Sequence, residues 1–212
     1  MRSYLTIARD GEATLEIKRS RFLCTLRRVE HETDARALVE QVRRTHWDAR
    51  HHCSAFVLGP DGMLQRSSDD GEPAGTAGAP MLEVLRGRGV SDVVAVVTRW
   101  FGGILLGAGG LVRAYGDAVS AALDEVGTLE RQLLEEWEVR LDHAEAGRVE
   151  GELRARGVEV LEAAYTQDVR LLLGVRDADA LRTGVAALTA GRVEPVHVGE
   201  RWVDVRSSAH RM

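Results

Sequence analysis

Lysine is nearly missing from this 212-residue chain: of 28 basic residues only Lys18 is lysine, and the rest are arginine. With so much Ala, Val and Gly, this reflects GC-rich coding rather than selection for guanidinium geometry. Cysteine is scarce too. Cys24 and Cys53 are the only two, too few for a disulfide scaffold, which fits a reducing cytoplasm. No apolar run approaches the ~20 residues a membrane-spanning helix needs. The first ten residues lack a long apolar stretch, so the expectation is a soluble cytoplasmic protein that is not exported. Surplus positive charge is absent, with a net charge of −5. Split at Gly127, the two parts carry 16 basic against 17 acidic residues and 12 against 16. Any nucleic-acid contact must therefore use a local patch. No Gly-Lys-Ser/Thr occurs, which excludes a P-loop.

What is present is a globular composition, 44% hydrophobic and 29% charged, with two glycine-rich segments about thirty residues apart. The first, acidic one is Asp69-Asp70-Gly71-Glu72-Pro73-Ala74-Gly75-Thr76-Ala77-Gly78. The second is Arg99-Trp100-Phe101-Gly102-Gly103-Ile104-Leu105-Leu106-Gly107-Ala108-Gly109-Gly110. Folded chains place glycine where φ is positive or a backbone approaches closely, so both segments predict shaped loops.

Around them the pattern predicts strands at 5–8, 13–17 and 21–29, and a helix capped by Thr33 or Asp34 running to about His46. A hairpin follows, with strands at 51–58 and 63–67 joined by the Gly59-Pro60-Asp61-Gly62 turn. A helix over 79–86 and a buried β-branched strand over 93–98 come next. Leu111, Val112, Tyr115, Ala118, Val119, Ala122 and Leu123 then form a helical apolar stripe between Gly110 and Gly127. Beyond Gly127 the pattern reads strand 131–141, helix 144–156, strands 158–166 and 169–175, helix 178–189 and strand 193–205. This βαββαβ order predicts an α+β chain of two domains, 1–127 and 128–212, the second ferredoxin-like.

Four clusters invite chemistry. Asp69, Asp70 and Glu72 could hold Mg²⁺ or supply a general base, although Asp-Gly and Glu-Pro also make turns and an acid here could cap the following helix. The second glycine segment follows a strand and opens a helix, where free backbone N–H groups favour anions. Gly102, Gly103, Gly107, Gly109 and Gly110, with Arg99 and Arg113, are the candidate anion-binding residues; tight packing is the alternative. The segment ends in Val112 where a dinucleotide fingerprint needs Gly or Ala. His51 and Cys53 share one strand face while His52 opposes them, too few ligands for zinc. Cys53 reads as a small buried residue, with a histidine-activated nucleophile as the alternative. Arg19, Arg21, Arg27, Arg28, Arg43, Arg44 and Arg50 could form a phosphate-contacting patch, but interleaved acids make a mixed solvated surface the default. Trp137 and Trp202 read as packing or interface residues.

Four ordered segments carry a family resemblance. They are Arg19-Ser20-Arg21-Phe22, Ala49-Arg50-His51-His52-Cys53, the acidic glycine segment, and Arg99-Trp100-Phe101-Gly102-Gly103 with Leu106-Gly107-Ala108-Gly109-Gly110-Leu111-Val112-Arg113-Ala114-Tyr115. Together they resemble the IMPACT/YigZ family over roughly residues 1–125, and the remainder resembles the small C-terminal domain of bacterial members. The resemblance implies an N-terminal ribosomal protein S5 domain 2-like fold, a ferredoxin-like second domain and a link to translational regulation. Leu105 and Ala79 stand where many members have Lys, which removes positive charge beside the glycine segments.

The leading expectation is a non-catalytic binding protein that contacts RNA, the ribosome or a translation-associated protein, using Arg19, Arg21, Arg99 and Arg113, with no cofactor and an oligomeric state left open. The alternatives are a Mg²⁺-dependent hydrolase or phosphotransferase built on the acidic loop, and a protein-binding regulator that touches no nucleic acid. The enzyme reading requires the two glycine loops to meet with carboxylates close enough to share a metal.

Overall fold

The structure is a computed structural model that describes residues 2–205; residues 206–212 of the expected second domain lie outside it. The chain is mixed α+β and divides into two compact units, residues 2–131 together with 205, and residues 132–204.

The first unit is built on a sheet of order β2-β3-β6-β4-β5, with β2 Gly11–Ile17, β3 Ser20–Arg28, β4 His51–Leu58, β5 Leu64–Ser68 and β6 Val93–Trp100. All its neighbours are antiparallel. β6 is central and buried from Val93 to Arg99, which explains its unbroken apolar run: both faces are covered. Val93, Ala95 and Val97 face a core shared with α2 (Gly78–Gly87) and α3 (Ala108–Val126). Val94 and Val96 face the opposite layer, formed by Ala35, Leu38 and Val42 of α1 (Glu32–Thr45). Phe22 and Tyr115 meet edge to face at 5.3 Å in the first core, a geometry that adds about 0.5–1.5 kcal/mol beyond burial. The short β1 (Ser3–Ile7) joins this unit through a parallel bridge of Leu5 to Val90 and a bond from the Ser91 N–H to the Leu5 carbonyl.

Several boundaries differ from the sequence reading for local reasons. α1 starts two or three residues early, with His31 at the cap and no side-chain cap bond. Thr33 and Asp34 sit inside its first turn, where Glu32 and Asp34 complement the helix dipole instead. α3 begins at Ala108 because Gly107, at φ 75°, turns the chain there. β2 and β3 are joined by only two residues, Lys18 and Arg19, both at positive φ (48° and 65°). A type I′ hairpin turn requires that backbone, which normally selects Asn and Gly.

The second unit takes in β7 (Thr128–Leu141) from residue 132 on, α4 (His143–Ala155), β8 (Glu159–Tyr165), β9 (Val169–Val175), α5 (Ala178–Thr189) and β10 (Val196–Val205) up to residue 204. β9 lies between β7 and β8, and β10 pairs with β7. Trp137, Val139, Leu171 and Leu173 of the sheet pack with Val149, Leu153, Leu181 and Val185 of the helices. Trp137 is thus a core residue, whose indole also sits at 5.2 Å from the His197 ring.

Candidate functional site

The topology of the first unit brings the four sequence segments to one end of its sheet. Arg21 pairs with Trp100, and Arg99 with His51. The Lys18-Arg19 turn, the exit of β6 and the entry to β4 therefore coincide. Ser68 pairs with Ser54 near that same entry, so the acidic loop that follows β5 opens there too.

The three acids of that loop diverge. The Asp69 carboxylate accepts bonds from the N–H groups of Gly75 (2.8 Å), Ala77 (3.0 Å) and Gly78 (2.8 Å), so it ties the loop down and anchors the start of α2. Burial raises its pKa, but these three donors more than offset that and hold it below its ordinary value. Asp70 accepts from the His52 N–H (2.6 Å) and pairs with Arg43 of α1 at 2.9 Å. Glu72 turns to the other side of the sheet, where it pairs with Arg99 at 2.6 Å and accepts from the Tyr115 hydroxyl of α3 at 2.7 Å. The two glycine segments are thereby joined through Glu72. Yet Asp70 reaches α1 and Glu72 reaches α3, which cover opposite faces. The carboxylates do not converge as Mg²⁺ coordination demands, and no group of three or more His, Cys, Asp or Glu among the described residues is placed to hold a metal ion.

The histidine and cysteine cluster is structural as well. Cys53 is buried and donates to the Asp69 carbonyl at 3.0 Å. Burial, above all, pushes its thiol up to about 12, so no thiolate is available at neutral pH. His51 Nδ1 lies 2.9 Å from the Asp70 carbonyl and His52 Nδ1 3.2 Å from the Thr98 hydroxyl.

The arginines divide by environment. Arg99 is buried with its side chain only 7% exposed, so it orders the loops and offers no exposed guanidinium to an anion. Arg43 pairs with Glu40 and Asp70, and Arg27 with Asp10. Arg19, Arg21, Arg44, Arg50 and Arg113 are exposed. The Arg21 guanidinium lies over the Trp100 ring, 3.8 Å from its centroid.

The glycines serve distinct purposes. A Cβ on Gly102 would lie 2.0 Å from the Arg19 backbone C and O, and the Gly102 N–H donates to Ser20 Oγ at 3.2 Å. The second glycine segment thus packs directly on the hairpin turn. Gly103 and Gly107 hold positive φ (84° and 75°). On Gly110 a Cβ would press Leu106 at 2.9 Å, whereas Gly109 has open space around it. Between them the loop exposes Phe101, Ile104 and Leu105.

Sequence reasoning passed over Tyr115, read only as a core stripe residue, and Trp47, which is 82% exposed. The hydroxyl on an otherwise apolar stripe was the available signal for the first.

The molecule is similar to known proteins along most of its length. A family model described as the Impact N-terminal domain matches residues 18–123, and one described as a domain of unknown function, DUF1949, matches 139–192. IMPACT family member YvyE of Bacillus subtilis is 42% identical, covering 91% of this chain and 89% of its own. IMPACT family member YigZ of Escherichia coli is 44% identical over 81% of this chain and 85% of its own. A solved structure titled only as that of a hypothetical protein superposes with a TM-score of 0.63 at 38% identity, covering 93% and 98% of the two chains. All four segments gathered at the sheet end fall within the matched N-terminal region, and the chain belongs to the IMPACT family.

Proposed function

We propose that this chain is a non-catalytic cytoplasmic binding and regulatory protein whose motif-bearing end contacts RNA, the ribosome or a translation-associated protein. One observation carries the reading: the fold separates charges that the sequence mixes. Asp69, Asp70 and Glu72 are turned inward onto backbone N–H groups, Arg43, Arg99 and Tyr115. Lys18, Arg19, Arg21, Arg50 and Arg113 stay exposed on or beside the same segments, where Glu16, Asp48 and Asp117 are the exposed acids near them. A chain of net charge −5 thereby presents a locally cationic surface suited to phosphates. Arg19, Arg21 and Arg113 are the contacts, and Gly102, Gly103, Gly107, Gly109 and Gly110 shape the loop beside them. The protonated state of Cys53 and the divergent acids leave no evident nucleophile and base pair, which favours binding over catalysis.

Two domains, 1–127 and 128–212, belong to the same reading. The β10-β7-β9-β8 order with its two helices supports a ferredoxin-like second domain. The antiparallel five-stranded sheet of the first supports the S5 domain 2-like fold. A protein partner is the second reading, favoured by the exposed Phe101, Ile104 and Leu105, since apolar patches mark protein interfaces.

Co-sedimentation with purified ribosomes across a salt series tests the proposal. Pelleting that weakens steeply as salt rises is expected; no pelleting at any salt overturns it.

A further inference from the structure

The cationic surface carries an aromatic feature that phosphate contact alone leaves unexplained. α1 ends at Thr45, and the next residues make a turn closed by the Ala49 N–H donating to the His46 carbonyl at 3.0 Å. That turn is pinned to Trp100 on both sides of Trp47. The His46 ring meets the Trp100 ring edge to face at 5.3 Å, and the Trp100 indole N–H donates to the Asp48 carboxylate at 2.9 Å. Trp47 lies between the two anchors and projects into solvent. A large aromatic held by its neighbours and left uncovered is a preformed stacking face rather than a loose end. Beside it, the exposed Arg21 guanidinium is laid over Trp100, and guanidinium planes also stack on bases.

We infer that this surface binds unpaired RNA, with bases stacking on Trp47 and on the Arg21–Trp100 pair while Lys18, Arg19 and Arg50 contact phosphates. The inference rests on the binding role proposed above and narrows it to single strands. The aromatic contacts require an accessible base face, which a duplex keeps inside its stack, whereas cations alone would accept either form.

The test uses the full chain with a fluorescein-labelled 12-nucleotide single-stranded RNA, the same sequence as a duplex, and an abasic version of the strand. Single strands are expected to bind more tightly than the duplex or the abasic strand and to quench tryptophan fluorescence. Trp47→Ala should weaken single-strand binding roughly tenfold with its salt slope unchanged, and Trp47→Phe should restore most of the loss. Arg21→Ala should weaken binding and lower the slope. Equal affinity for single and abasic strands, tighter duplex binding, or wild-type affinity of a folded Trp47→Ala variant would overturn the inference. If those results came with salt-sensitive ribosome pelleting, the stacking inference would fall while the broader reading stood. If pelleting were also absent, both would fall.

Discussion

Arg99 and Glu72 form a buried ion pair, N to O 2.6 Å, with side chains 7% and 4% exposed, and it is the joint between the two glycine segments. Tyr115 adds a third member by donating to the same Glu72 oxygen. Removing one charge strands the other in a low-dielectric interior. Arg99→Met is therefore expected to destabilise the protein by about 3–5 kcal/mol, and Glu72→Leu/Arg99→Met by less than Arg99→Met alone. Urea denaturation of the single and double variants decides it; a double variant as unstable as the sum of the singles contradicts the pairing.

Gly102 and Gly109 should respond in opposite directions to the same substitution. A methyl on Gly102 meets the Arg19 backbone, which cannot swing aside as a side-chain tip can. Gly102→Ala is expected to cost about 1–3 kcal/mol and to displace the Lys18-Arg19 turn. Gly109 lies in the first turn of α3 with nothing near it, so Gly109→Ala should stabilise by about 0.4–1 kcal/mol. Thermal midpoints of the two variants give the comparison.

Acid should weaken the fold in two steps. Burial, the largest influence on His52, lowers its pKa from the ordinary 6.5 despite the nearby Asp70. The unfolded chain then takes up that proton first, so the stability held above 6.5 declines as pH falls below it. Asp69, held below its ordinary 3.8, contributes fully above that value and loses its contribution as pH falls beneath it. Urea midpoints between pH 7.5 and 3 should show both declines, and His52→Gln should flatten the first. A wild-type midpoint that does not fall between pH 7 and 5 contradicts the assignment.

Leu105, 81% exposed on the second glycine loop, gives a gain-of-charge test. Leu105→Lys adds a cation beside the surface without touching the core. Ribosome pelleting by this variant should persist to higher salt, with a slope steeper by about one. An unchanged curve would place the contact surface away from this loop.

The first unit's elements were largely legible because period and burial agree there. The β-branched run of β6 and the stripe of α3 each answer to a single covered environment. The strands flanking Lys18-Arg19 were legible but the form of their turn was not, since its left-handed backbone is imposed by strand register and the packing of Gly102 rather than by the residues that adopt it. At the site, the segments were legible and their roles were not. Arg99 and Arg113 look alike in sequence, but the inward-facing register of Arg99 beside His51 buries it against Glu72, while Arg113 falls on the outer side of α3. The acidic loop read as a possible metal cradle because spacing does not reveal that its carboxylates straddle the end of a sheet.

The most direct measurement is the salt dependence of ribosome co-sedimentation for the wild type and for an Arg19→Ala/Arg21→Ala/Arg113→Ala variant. Each phosphate contact removed should lower the slope of log affinity against log salt by about one, so the triple variant should bind more weakly and with a slope shallower by up to about three. A folded triple variant with the wild-type affinity and slope would contradict the claim that this end of the sheet is the binding surface.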